Sequence, residues 1–198
     1  MAELLVIRHA PTLWNAEGRL QGRTDIPLSD AGRETARHWR VPDAWHDGHW
    51  RSSPLARARE TAALLGHADA ALDQRLCEMA YGQFEGRTLA ELRAASPDDM
   101  AANEARGLDF RPPDGESPRE VAERLQAVLV DIAGAHEHSV LIAHKGILRA
   151  LMVLGCGWTM LGRPPFALNH SIALRARLSS AGAPSDLSTL DLARAEAA

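Results

Sequence analysis

The chain has 198 residues, 45% hydrophobic and 24% charged, a balance that suits one compact domain and excludes a low-complexity or disordered chain. Its formal charge of −4 argues against broad electrostatic affinity for nucleic acid or an anionic membrane, so a small partner is expected. Cys77 and Cys156 stand far apart and outside any CxxC pattern, which speaks against a disulfide framework or a zinc site and leaves two thiols expected to be buried.

No stretch approaches the roughly 20 apolar residues needed to cross a bilayer, and the opening apolar run is too short for a signal peptide. A soluble, cytoplasmic protein is expected; the oligomeric state is not legible. In chain order, Leu4 to Ile7 reads as a fully buried strand, with Arg8 and His9 directly after it. A short strand around Trp50 is expected to feed a helix capped by Ser53, with Pro54 in its first position and Gly66 as its stop. Capping boxes mark two further helix starts, Thr88-Leu89-Ala90-Glu91 and Ser117-Pro118-Arg119-Glu120. Between them the stretch 96–116, with Pro97, Gly107, Pro112, Pro113 and Gly115, reads as loop-rich, and 79–116 as an excursion over the site. Val121, Leu125, Val128 and Ile132 form one helical stripe that ends at Gly134. His136 and His138 follow in a turn and lack a third ligand, so surface positions are expected rather than a metal site. Ser139 to Ala143 is a second buried strand, followed at once by His144 and a helix from Gly146 to Leu154. From Ala183 onward a turn, an edge strand around Leu190 and a frayed end are expected. Strands alternating with capped helices indicate an α/β layer structure in a single domain, 1–198.

In open α/β sheets ligands bind beyond the carboxyl ends of the strands, where Arg8, His9 and His144 fall, with Arg57 at a neighbouring helix start. Such a cluster suits a dianion like phosphate, because guanidinium forks match its oxygens and helix N-termini add amides. A neutral imidazole there can attack phosphorus and split hydrolysis into two displacements, while the arginines hold the charge on the equatorial oxygens. The departing alcohol still needs a proton, which a carboxyl group can give and later recover from water. Chemistry alone does not choose that carboxyl among the acidic residues present.

The stretch Leu5-Val6-Ile7-Arg8-His9-Ala10-Pro11-Thr12-Leu13-Trp14-Asn15, followed by Gly18-Arg19-Leu20-Gln21-Gly22 and Asp25-Ile26-Pro27-Leu28-Ser29, resembles the opening of the histidine phosphatase, or phosphoglycerate mutase-like, superfamily. Later blocks follow in the same order: Ser52-Ser53-Pro54-Leu55-Ala56-Arg57, then Leu76-Cys77-Glu78-Met79 with Gly82, then Gly115-Glu116-Ser117, then His144. The resemblance implies His9 as phosphoryl acceptor, Glu78 as proton donor, and Arg8, Arg57 and His144 as the phosphate pocket, with Asn15 and Gln21 as neutral donors. It also implies no metal, no nucleotide cofactor, and a three-layer α/β/α sandwich around a mostly parallel sheet.

Two departures from the family pattern stand out. Ala10-Pro11 replaces the usual Gly-Glu, giving a stiffer turn after the nucleophile without an acidic side chain. Lys145, the only lysine among 22 basic residues, replaces the glycine after the second histidine and is expected to point to solvent. Trp14, Tyr81 and Phe84 are candidates for a substrate pocket, with packing as the competing role. The reading is a phosphatase of a small phosphorylated metabolite; a mutase, an α-ribazole phosphatase and a catalytically silent phosphate-binding protein are the alternatives. Glu78 has a competing role as a loop carboxylate paired with Arg75 or Arg87.

Overall fold

A computed structural model describes residues 2–135 and 138–194. Strands β1 (Ala2–Arg8), β2 (His49–Ser52), β3 (Ala71–Leu72), β4 (Ser139–Ala143), β5 (Ile172–Leu178) and β6 (Pro184–Asp191) form one sheet in the order β3-β2-β4-β1-β5-β6. The pairs β3/β2, β2/β4 and β4/β1 are parallel, and β1/β5 and β5/β6 are antiparallel. The central strands β1 and β4 are buried almost throughout, which is why they read as continuous apolar runs rather than alternating ones. At the margin, β6 is largely exposed and begins with Pro184, a residue an edge strand tolerates.

Successive side chains on a strand point to opposite faces, and this parity sorts the core into two clusters. Leu4, Val6, Leu141 and Ala143 pack with residues of α6 (Pro118–Ala135) and α7 (Lys145–Cys156), including Leu125, Ile132, Ile147 and Leu151. Leu5, Ile7, Val140 and Ile142 pack on the other face with Ala36 of α2 (Asp30–Arg37) and with Ala58 and Ala62 of α3 (Ala56–Leu64). The result is the expected three-layer sandwich. The remaining helices are α1 (Leu13–Ala16), α4 (Leu89–Ala95) and α5 (Pro97–Glu104). No described helix is long and apolar enough to cross a membrane.

The capping boxes at Thr88 and Ser117 form as expected, and the Val121, Leu125, Val128, Ile132 stripe is buried. Three local expectations are corrected. Ser53 does not cap α3, which begins at Ala56; Ser53 continues the pairing with β4 through Ser53 N to Ile142 O at 2.9 Å. The Ala56 amide is taken instead by the Asp25 carboxylate at 2.7 Å, a partner 31 residues away that local capping logic cannot see. The stretch 96–116 is less loop-like than expected, because Pro97 occupies the first turn of α5 and Met100 anchors that helix in the core. Cys77 is buried, but Cys156 is exposed, since it sits in the last turn of α7 just before the left-handed Gly157. Of the two turn histidines, His138 is exposed and His136 lies outside the described residues.

Candidate active site

The sheet register creates the centre of the site. Because β1 and β4 are adjacent and parallel, with Arg8 opposite Ala143, the residues that follow each strand leave the sheet at the same edge. His9 and His144 therefore meet although 135 positions separate them, with ring centroids 5.1 Å apart and planes tilted by 55°. Strand β2, on the far side of β4, brings Ser53 to the same edge, and its hydroxyl lies 2.8 Å from His144 Nε2.

The turn after His9 fixes the orientation of its ring. His9 Nδ1 lies 2.7 Å from the Ala10 carbonyl oxygen, which can only accept, so Nδ1 carries the proton and Nε2 keeps its lone pair. The Ala10 amide donates to Thr61 Oγ1 at 3.0 Å, and Thr61 in turn donates to the Arg57 carbonyl at 2.7 Å, tying the turn to α3. Burial, with Arg8 and then Arg57 nearby, holds the His9 pKa well below its ordinary value, so the ring is neutral. The same logic assigns His144. Arg57 Nε can only donate, and it lies 3.3 Å from His144 Nδ1, so Nε2 carries the proton and donates to Ser53. Burial and the Arg57 charge depress the His144 pKa too.

Arg57 is fully buried, and three of its N–H groups are committed: to His144, to the Thr24 carbonyl at 2.9 Å and to the Gly22 carbonyl at 2.7 Å. Arg8 differs. It is 8% exposed, and its Nε is buried without any hydrogen-bond partner. Strand parity sends Arg8 to the face of Leu4 and Val6, toward α7, and burial brings its pKa down to about 10. Glu78, also 8% exposed, accepts from the Met79 amide at 2.8 Å and the Gly146 amide at 3.0 Å, at the start of α7. It does not pair with Arg75, whose partners are Asp73 and Asp131. His9, Arg8, Arg57, Glu78 and His144 thus form one electrostatically coupled, nearly closed cluster.

Asn15 and Gln21 stand apart from it, with no hydrogen bond to any of these five residues. The Asn15 carbonyl closes a capping box with Thr12, which leaves its amide nitrogen as a free donor. Gln21 is buried with Oε1 unpartnered. Sequence reading missed His170, whose ring lies 6.2 Å from His9, near edge-on, with a buried and unpartnered Nε2 and a pKa brought down to about 4 by burial and by Arg8. No local signal marks it; it reaches the site from the loop before β5. Ser53 and Thr61 were likewise legible only as a cap and a helix residue.

Lys145 is the main correction at the site. It is half-buried rather than directed to solvent, and with Arg149 it lines a cavity of about 500 Å³ that begins beside Met79 and Gly146. Tyr81 lines this cavity, whereas Trp14 and Phe84 do not. Residues of the 79–116 stretch, including Leu89, Arg93, Glu104 and Phe110, form one wall. Among the described residues, no group of three or more His, Cys, Asp or Glu is arranged to hold a metal ion.

The chain is similar in sequence and fold to several known proteins. A probable phosphoglycerate mutase, GpmB, from Enterobacter sp. (strain 638) is 34% identical over 176 residues, covering 84% of this chain and 78% of that protein. Phosphoglycerate mutase-like protein 4 of Arabidopsis thaliana is 33% identical over 159 residues, 76% of this chain and 69% of the relative. Among solved structures, a mycobacterial glucosyl-3-phosphoglycerate phosphatase in complex with VO3 superposes with a TM-score of 0.79 at 26% identity, covering 96% of this chain and 99% of that one. Bacillus stearothermophilus YhfR gives a TM-score of 0.77 at 28% identity, with 90% and 92% covered. The description "Histidine phosphatase superfamily (branch 1)" matches residues 4–176, and the chain belongs to that superfamily.

Proposed function

We propose that this enzyme hydrolyses the phosphomonoester of a small metabolite by way of a phosphoryl group carried on His9 Nε2, without a metal or organic cofactor. The observation that carries the reading is the tautomer of His9, whose Nδ1–H bond to the Ala10 carbonyl leaves an unprotonated Nε2 among cations. In the first step Nε2 attacks phosphorus, the P–O bond to the alcohol breaks, and Glu78 in its acid form gives the leaving oxygen its proton. In the second, water attacks the phosphohistidine, Glu78 takes the water proton, and inorganic phosphate departs with His9 restored. Arg8, whose Nε is unpartnered, is the group best placed to meet the phosphoryl oxygens, with Arg57 and His144 behind it.

His9 is only 2% exposed, so an ester reaches it in line only after a neighbouring side chain yields. The His170 ring, partly exposed and without a partner for Nε2, is the neighbour with most freedom to do so. An oxyanion bound in the mycobacterial phosphatase, VO3, is in keeping with such a pocket in this fold. The nature of several relatives favours one second reading, in which the phosphoryl group returns to the substrate as in a mutase. A panel of 3-phosphoglycerate with 2,3-bisphosphoglycerate, sugar phosphates and α-ribazole phosphate separates mutase from phosphatase. Acid-quench trapping of a phosphoenzyme, and hydrolysis of p-nitrophenyl phosphate by wild type and His9→Ala, test the mechanism itself. Equal rates in the two proteins would refute it, and binding without turnover would identify a silent phosphate-binding protein.

A further inference from the structure

The cavity beside Glu78 carries an imbalance of charge. Three basic side chains line it, and one of them, Arg93, is matched by Glu104 at 2.8 Å. Lys145 and Arg149 have neither a carboxylate partner nor a hydrogen bond among the described residues, and the only acid lining the cavity is that same Glu104.

Their positions oppose helix stability in three ways. Residues four apart on a helix are neighbours, and like charges there are unfavourable. Lys145 is the first residue of α7, where the backbone dipole favours negative charge, and that first turn holds no acidic residue. Lys145 is half-buried besides, and burial, then Arg149 and Arg8, hold its pKa below the ordinary value. The one acid that offsets this, Glu78, is already held by two backbone amides. Arg149 is close enough to Arg8 to repel it, which joins this pair to the reaction centre.

Charges that cost stability and lack partners in a cavity mark a place built for a ligand. We infer that Lys145 and Arg149 form a second anion subsite, so that the substrate is a phosphomonoester bearing a further carboxylate or phosphate. Leu20, Phe110, Val153 and Leu161 on the cavity walls fit a carbon body with apolar surface between its two anionic ends. The inference rests on the phosphatase reading above and names the substrate class for it. It also gives Lys145, the departure from the family pattern, a specific task.

The test compares phenyl phosphate with 4-carboxyphenyl phosphate and 1,4-phenylene bisphosphate, whose second anions are a carboxylate and a phosphate. Wild type is expected to prefer one or both anionic esters by about tenfold or more in kcat/KM, chiefly through KM, as befits charge-assisted contacts. In Lys145→Gln/Arg149→Gln that ratio is expected to fall to within about twofold. Calorimetric binding of phenylphosphonate and 4-carboxyphenylphosphonate, which are not hydrolysed, reads the subsite without turnover. Absence of any preference in wild type, or its survival in the double variant, overturns the inference. Hydrolysis without preference defeats the subsite alone, whereas phosphonate preference without hydrolysis of any ester defeats the phosphatase reading and leaves the subsite standing.

Discussion

Gly146→Ala tests the proposed proton donor, Glu78, without replacing it. A Cβ on Gly146 would fall well inside the van der Waals contact distance of Glu78 Oε1, with Glu78 Cδ and Met79 Cβ each 3.4 Å away. The carboxyl must therefore move, and because Oε1 accepts from both the Met79 and Gly146 amides, one or both bonds are lost. A hydrogen bond to a charged group contributes about 1.5–3 kcal/mol, and alanine in place of glycine in a helix returns at most about 1 kcal/mol. The net loss is about 1–2 kcal/mol, a fall of roughly 2–8 °C in Tm for a chain of this size. A displacement near 1 Å of a catalytic group costs about a hundredfold in rate. An alkyl phosphate, whose leaving oxygen needs a proton, is thus expected to lose about a hundredfold in kcat, and p-nitrophenyl phosphate, whose leaving group needs none, less than about tenfold. Steady-state kinetics on both esters, beside thermal melting, measures this. Equal losses on the two esters, or an alkyl rate within about threefold of wild type, would refute the assignment of Glu78.

Ser53→Ala leaves the buried His144 Nε2–H unsatisfied, and is expected to lower stability by about 1–3 kcal/mol, read by urea denaturation, with a fall in kcat/KM that Ser53→Thr partly restores. Acid should weaken the fold through its imidazoles. His9, His144 and His170 are held neutral below their ordinary pKa, so between pH 6.5 and 5 the unfolded chain binds protons that the folded one refuses. Stability is then expected to be flat in these groups above pH 7 and to fall below 6.5 by up to about 1.4 kcal/mol per pH unit per histidine. Denaturant titrations across that range check the slope, and His170→Gln should make it shallower. Gly32→Ala would drive a Cβ into the Pro11 carbonyl oxygen, a backbone atom that cannot swing aside, and so disturb the turn behind His9. It is expected to cost about 1–3 kcal/mol, visible as a lowered Tm together with reduced activity.

Much of the frame was legible in the amino acids because the responsible forces are local. The continuous apolar runs of Leu4–Ile7 and Val140–Ala143 read as strands covered on both faces, and the Thr88 and Ser117 boxes satisfy amides three residues away. Where the partner of a polar group lies far along the chain, local reading fails. Asp25 caps α3 in place of Ser53, Pro97 starts a helix because Met100 finds the core, and His170 enters the site from the opposite end of the sequence.

The sequence by itself determined that two histidines would each follow a buried strand, and the order of its motifs pointed to the family. Only the tertiary structure decided that those strands lie side by side and parallel, since strand order depends on long-range packing of α6 and α7 on one face and α2 and α3 on the other. The protonated nitrogen of His144 and the inward position of Lys145 follow from that same packing, whereas His9 bonds the carbonyl of its own neighbour, Ala10. The partners of His144 and of the Ala56 amide, like burial itself, are set by whichever distant atoms the fold brings near.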